Sequence, residues 1–205
     1  MRVEPVTLEG SVVRLTPLSA GDHPRLCEIG LEPALWECTT IRVRTAEEML
    51  DYVRAALAGR DARTALPFAI RLRETDQVVG TTRFHSIAPD HRRVEIGFTW
   101  VGVPWQRTAV NTESKYLLLR HAFEGWECGR VEFKADAENH RSRAALSRIG
   151  ATEEGVLRHY LHSAHRGPRD VAIYSILRGE WPAVKARLEQ RMSGGLALRG
   201  GKDVP

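Results

Sequence analysis

The stretch that decides the fold runs Glu95-Ile96-Gly97-Phe98-Thr99-Trp100-Val101, then Gly102-Val103-Pro104-Trp105-Gln106-Arg107-Thr108, then Ala109-Val110-Asn111-Thr112-Glu113-Ser114-Lys115-Tyr116-Leu117-Leu118-Leu119-Arg120. The first part alternates as a strand. Its period places Val94, Ile96, Phe98 and Trp100 on one face and Glu95, Gly97, Thr99 and Val101 on the other. A Gly- and Pro-bearing loop follows, and then a helix expected to continue through Phe123. A strand that runs through a short loop into a helix N-terminus offers an open edge of N–H and C=O groups for an amide-bearing chain. It also offers free N–H groups at the positive end of a helix dipole, where a pyrophosphate is stabilised.

Upstream, Gly10 to Pro17 reads as a strand, Ser19 or Asp22 caps a short helix carrying Leu26 and Ile29, and Thr45 with Glu48 opens a second helix. Pro67 to Leu72 and Gln77 to His85 form a hairpin around Glu74-Thr75-Asp76, and Arg92 to Val101 is the next strand. Downstream come a strand at Arg130 to Ala135, a helix at Asn139 to Ile149, strands near Gly155–Leu161 and Asp170–Leu177, and a helix from Trp181 to Met192. The order β-α-α-β-β-β-α-β-α-β-β-α mixes antiparallel neighbours with a strand-helix-strand crossover. It predicts an α/β fold with a central, mostly antiparallel mixed sheet and helices on both faces.

A length of 205 residues suits one domain. We place it at residues 1–192, with 193–205 a flexible Gly- and charge-rich tail. No apolar run approaches the roughly 18 residues of a membrane span, and MRVEPVTLEG carries no secretory signal, so a cytoplasmic protein is expected. Cys27, Cys38 and Cys128 lack the pairing of a disulfide framework or a zinc site. The excess of four basic residues is dispersed along the chain, whereas nucleic-acid binding calls for a cluster.

These residues resemble the GNAT superfamily of acyl-CoA N-acyltransferases, in particular the RimJ/RimL type of ribosomal-protein N-acetyltransferase. The family's phosphate loop, Q/R-x-x-G-x-G/A followed by Thr-Glu, is matched by Gln106, Ala109, Asn111, Thr112 and Glu113, with both glycines replaced. Asp136-Ala137-Glu138-Asn139-His140-Arg141-Ser142 with Ile149-Gly150-Ala151 resembles the block at the strand-to-helix junction near the thioester. Glu154-Gly155-Val156-Leu157-Arg158 and Arg169 to Leu177 resemble the closing strands, and the likeness covers about Gly10 to Glu189. It implies an acetyl-CoA-dependent N-acetyltransferase that passes acetyl directly to a primary amine, on a protein N-terminus or a small molecule, with no metal. Relatives often form homodimers. It also implies that coenzyme A is held by Phe98, Thr99, Trp100, Val101, Gln106, Arg107, Thr108, Ala109, Val110, Asn111, Thr112 and Asn139. The altered glycines keep a second reading open, a non-catalytic acyl-CoA-binding or protein-interaction module of the same fold.

For catalysis, Glu95 is the expected base. It stands eleven residues before Gln106, where histone-acetylating relatives carry their glutamate, and burial is expected to raise its pKa. A structural pairing with Arg83 is the alternative. Backbone N–H groups of Phe98 to Val101 would polarise the thioester carbonyl. Asn139 either holds the cofactor arm or a water, or caps its helix. Leu146 occupies the place of the family's general-acid tyrosine, which leaves Ser142 as the candidate donor to sulfur. Trp36 and Arg42 fall where relatives shape the acceptor site. His159, His162 and His165 recur every third residue, a spacing that does not converge on a metal along a strand.

Overall fold

In a computed structural model, which describes residues 1–194, one eight-stranded sheet carries the chain. The strands are β1 (Leu8–Glu9), β2 (Val13–Pro17), β3 (Leu66–Leu72), β4 (Val78–Ala88), β5 (Arg93–Val101), β6 (Arg130–Asp136), β7 (Thr152–Ser163) and β8 (Gly167–Leu177). The helices are α1 (His23–Gly30), α2 (Ala46–Asp61), α3 (Ala109–Arg120), α4 (His140–Ile149) and α5 (Trp181–Ser193). Spatial order is β1-β2-β3-β4-β5-β6-β8-β7, and every pairing is antiparallel except β5 with β6. The mixed sheet expected from the sequence is therefore observed. Of the expected tail, Ser193 closes α5, and residues 195–205 lie outside the described part.

Two apolar cores sandwich the sheet. Leu26, Trp36, Met49, Tyr52 and Val53, from α1, α2 and the segment between them, pack with Ala69, Val78 and Trp100 on one face. On the other, Val110, Leu117 and Leu118 of α3, Leu146 and Ile149 of α4, and Trp181, Val184 and Leu188 of α5 cover Phe68, Phe84, Val94, Ile96 and Val131. The helix after the phosphate loop turns into one turn of π-helix at His121–Gly125, short of the uninterrupted helix the pattern suggests.

Several motifs prove to be joints. Glu113, the glutamate of the Thr-Glu pair, is buried and accepts N–H bonds from Ser11, Val12 and Val13 at 2.6–2.9 Å, and also the Ser11 hydroxyl. It clips α3 to the turn between β1 and β2. Asp136, ending β6, accepts from Arg169 at 2.8 Å and Arg166 at 3.0 Å, and its other oxygen takes the Glu138 N–H. That network fixes the β6–α4 corner against β8.

Candidate active site

β5 and β6 pair only at Arg93–Arg130, Val94–Val131 and Glu95–Glu132, after which the strands part. β6 goes on to Asp136 bonded to β8, while β5 goes on to Val101 bonded to β4 alone. The β5 edge from Ile96 to Val101 thus borders a cleft with its backbone groups unmatched by β6, and Glu95 sits at the vertex.

A bulge reshapes this strand. Thr81 faces Trp100 but Arg83 faces Gly97, so three steps on β5 oppose two on β4. The extra residue is absorbed at Phe98, which takes a left-handed φ of 49°. Ile96 and Trp100, four apart and on one face of a regular strand, consequently belong to opposite cores. The strict alternation expected from the sequence fails here. Glu95, Phe98 and Trp100 share the α1/α2 face, and Thr99 turns to α3, where its hydroxyl accepts from Lys115 Nζ.

On the α1/α2 face, Glu95 is 3% exposed. His85 Nε2 lies 3.2 Å from its Oε1, Lys134 Nζ of β6 2.9 Å from its Oε2, and the Ser86 hydroxyl donates to Oε2 at 3.4 Å. Burial raises the pKa of this carboxyl, but His85 and Lys134 outweigh it and hold the group below its ordinary value. The expected rise is overturned because the residues that bury Glu95 include its own cationic and hydrogen-bonding partners. Arg83, the anticipated partner, makes no ion pair with Glu95. Its guanidinium lies 4.0 Å from the Phe98 ring centroid and 5.2 Å from that of Tyr52. Gly97 allows a close approach, since a Cβ there would meet Nε2 of the His85 ring and push the ring from its place beside Glu95.

Beneath the cleft, on the α3 face, buried Lys115 donates to Thr99 Oγ1 at 2.6 Å, and Thr99 Oγ1 is 2.7 Å from Thr82 Oγ1. Lys115 Nζ also sits 5.9 Å from the ring centroid of Phe133 on β6, so this lysine spans the gap between the parted strands. Burial pulls its pKa down to about 7.

At the open end, the loop after β5 wraps Trp105 over Gly102, and Gln106 donates to the Val101 carbonyl at 3.0 Å. Thr108 caps α3, accepting from Val110 N–H. The backbone N–H groups of Arg107, Thr108 and Ala109 have no hydrogen-bond acceptor among the described residues. Arg107 adopts a φ of 61°, whereas Ala109 and Asn111 lie inside the helix. The position that favours glycine is therefore Arg107, not the two replaced small residues. Three consecutive free N–H groups at a helix start, beside the exposed Arg107, suit a pyrophosphate. The unpaired β5 edge suits an amide-bearing arm, so these residues fit coenzyme A.

α4 begins on the other bank. Asn139 caps it, accepting Ser142 N–H at 3.0 Å, and Arg141 reaches across to Gln106 Oε1 at 3.4 Å. The Ser142 hydroxyl has no partner among the described residues and is partly exposed. The structure thus gathers the Phe98–Thr112 segment and the start of α4 around one cleft, with Glu95 at its closed end. His159, His162 and His165 lie exposed along β7 and its turn.

His85, Lys134 and Lys115 escape a reading of motifs. The first two follow from strand alternation once β4 and β6 are set beside β5. Lys115 carries its own signal, a cation inside the apolar run of a helix.

Residues 13–152 match the family model described as "Acetyltransferase (GNAT) domain". The chain belongs to the GNAT family, whose members are acetyl-CoA-dependent acetyltransferases. Within it, the chain falls in the RimJ/RimL-like branch. It is 36% identical to the crystal structure of a "putative acetyltransferase" from T. thermophilus, with a TM-score of 0.85 over 94% of this chain and 100% of that one. The structure "Mycobacterium smegmatis RimJ in complex with CoA-disulfide" is 25% identical, with a TM-score of 0.75 over 94% of each chain. "Putative ribosomal N-acetyltransferase YdaF" of Bacillus subtilis is 33% identical over 108 residues, 52% of this chain and 57% of that protein.

Proposed function

We propose that the protein transfers an acetyl group from acetyl-CoA directly to a primary amine, the acceptor approaching over the α1/α2 face and the cofactor lying along the β5 edge. The observation that carries this reading is the parting of β5 and β6 beyond Glu95, which opens the sheet between a free backbone edge and an ionised carboxylate. Acetyl-CoA, when bound, supplies an activated thioester.

The N–H groups of Arg107 to Ala109 would hold its pyrophosphate, with Gln106 shaping the loop and Val110, Asn111 and Thr112 forming the first turn of α3 behind it. Phe98 to Val101 offer backbone partners for its amide arm, and Asn139 stands on the opposite bank. On the acceptor side, Glu95 and its bonded His85 take the proton that the ammonium must lose before it can attack. A depressed pKa leaves Glu95 a weak base but one that stays ionised, and His85 shares the incoming proton through the 3.2 Å contact. Ser142, with its free hydroxyl, is the candidate to protonate the departing thiolate.

The acceptor is a small amine or a protein N-terminus. Coenzyme A thiol release, followed across amino acids, polyamines and N-terminal peptides, tests the reading. Thiol release coupled to an acetylated amine upholds it, and binding of acetyl-CoA with no amine acetylated favours a binding module.

A further inference from the structure

Ten polar or charged residues are buried in the described chain, and nine of them have a side-chain or backbone partner. Asp22 meets Arg71, Glu113 the β2 turn, Glu95 His85 and Lys134, and Lys115 Thr99. Thr81, Thr82, Ser114, Ser163 and Ser175 each have a side-chain or backbone partner. Arg83 is the exception. It is 8% exposed, and its guanidinium has neither a hydrogen-bond acceptor nor an ion-pair partner among the described residues.

A guanidinium buried over most of its surface, with only its N–H edge left to solvent and no protein acceptor on that edge, is poised to pair with an anionic ligand there. The surroundings of Arg83 are built to present it. Phe98, turned outward by the bulge, lies 4.0 Å from the guanidinium carbon, and Tyr52 flanks it at 5.2 Å. Tyr52 is itself anchored through Thr81 Oγ1 at 2.9 Å and the Phe98 carbonyl at 3.3 Å. Aromatic contact occupies the face of the guanidinium and leaves its N–H edge for an acceptor. That edge is open. The sealed, unpartnered side-chain atoms among the described residues are Trp100 Nε1 and His121 Nε2, so no Arg83 nitrogen is shut off from solvent.

Arg83 faces Gly97, and His85 faces Glu95, on the same side of adjacent strands. Two residues along a strand span about 6.6 Å. An amine and a carboxylate a few bonds apart bridge such a distance with one hydrogen bond at each end. We infer that Arg83 is the receptor for a carboxylate carried by the acceptor, so that the substrate class is a primary amine bearing a nearby carboxylate. The planar fork fits a carboxylate with two parallel bonds. One guanidinium balances one negative charge, and ionised Glu95 two positions along β5 from Gly97 disfavours a dianion. The same cation works against polycationic acceptors. This inference rests on the acetyl-transfer reading above.

The experiment pairs each free amino acid with its carboxamide, and peptides beginning with Ser-Asp or Ser-Glu with their Asn and Gln counterparts, with spermidine as a carboxylate-free amine. kcat/KM is measured for the unaltered protein and for Arg83→Gln. The carboxylate form should be preferred by about tenfold or more, as a charge-assisted pair implies, and Arg83→Gln should bring the preference close to one. The free amino acids and the peptides show which source of carboxylate the site takes. Equal use of acid and amide, preferred use of spermidine, or a preference that survives in Arg83→Gln overturns the inference. If Arg83→Gln does not melt cooperatively, Arg83→Lys replaces it, keeping the charge without the fork and lowering the preference in part. If no amine is acetylated, the acetyl-transfer reading falls. Calorimetry of the same acid and amide pairs on coenzyme A-saturated protein then decides the receptor alone: acid-selective, Arg83-dependent heat supports it, and none overturns it.

Discussion

Glu95 of β5 and Glu132 of β6 form the last pair that these parallel strands make. Beyond it the sheet is open, and the catalytic proposal depends on Glu95 standing at that vertex as an anion. Glu95→Gln should lower turnover by at least about a hundredfold, the lower end of a general-base contribution, while KM for acetyl-CoA changes little because the phosphate loop is untouched. Steady-state kinetics checks this, and unchanged turnover removes Glu95 from the proton path.

The same carboxylate has a stability signature. Its folded-state pKa lies below the ordinary 4.5, so its contribution is fully present above that value and is lost as pH falls through the folded pKa. Glu95→Gln should cost about 2 kcal/mol at neutral pH, because Lys134 and His85 lose their partner, and the loss should shrink in acid. Denaturant titrations at neutral and acid pH provide the measurement.

Lys115 carries the same sign into a higher pH window. The unfolded chain takes up a proton below about 10.5, which the folded chain resists until pH nears 7. Stability from this group therefore rises with pH between those values. Lys115→Met should flatten that rise, read from melting temperatures at pH 7 and pH 10. An unaltered slope would mean that Lys115 is charged in the fold.

Arg107 and Ala109 separate strain from packing in the phosphate loop. Arg107→Gly should stabilise by up to about 1 kcal/mol by relieving a left-handed residue. Ala109→Gly, at the first helical position, should cost about 0.5–1 kcal/mol. Denaturation midpoints shifting the other way would show that the strained position has been misplaced.

Much of this fold is legible in the sequence because its signals are local. Period, turn residues and the Thr45 and Asn139 caps locate the elements, and the loop residues mark the cofactor end. What is not legible is non-local. The bulge falls at Phe98, and although Gly97 beside it is compatible with a bulge, nothing local says that Trp100 goes to the opposite core from Ile96 or that Phe98 turns onto Arg83. The pKa of Glu95 depends on β4 and β6 neighbours 10 and 39 residues away in sequence, so burial alone predicts the wrong direction. Thr-Glu reads as part of a binding motif, but its glutamate serves as a clip for β2.

The central claim is direct acetyl transfer at the vertex, and one measurement bears on it most closely: mass spectrometry of amines incubated with acetyl-CoA and either the protein or Glu95→Gln, with free thiol counted in parallel. One acetylated amine per thiol released is expected, at a rate that falls with Glu95→Gln. Thiol release without acetylated amine, or equal rates for the two proteins, would contradict it.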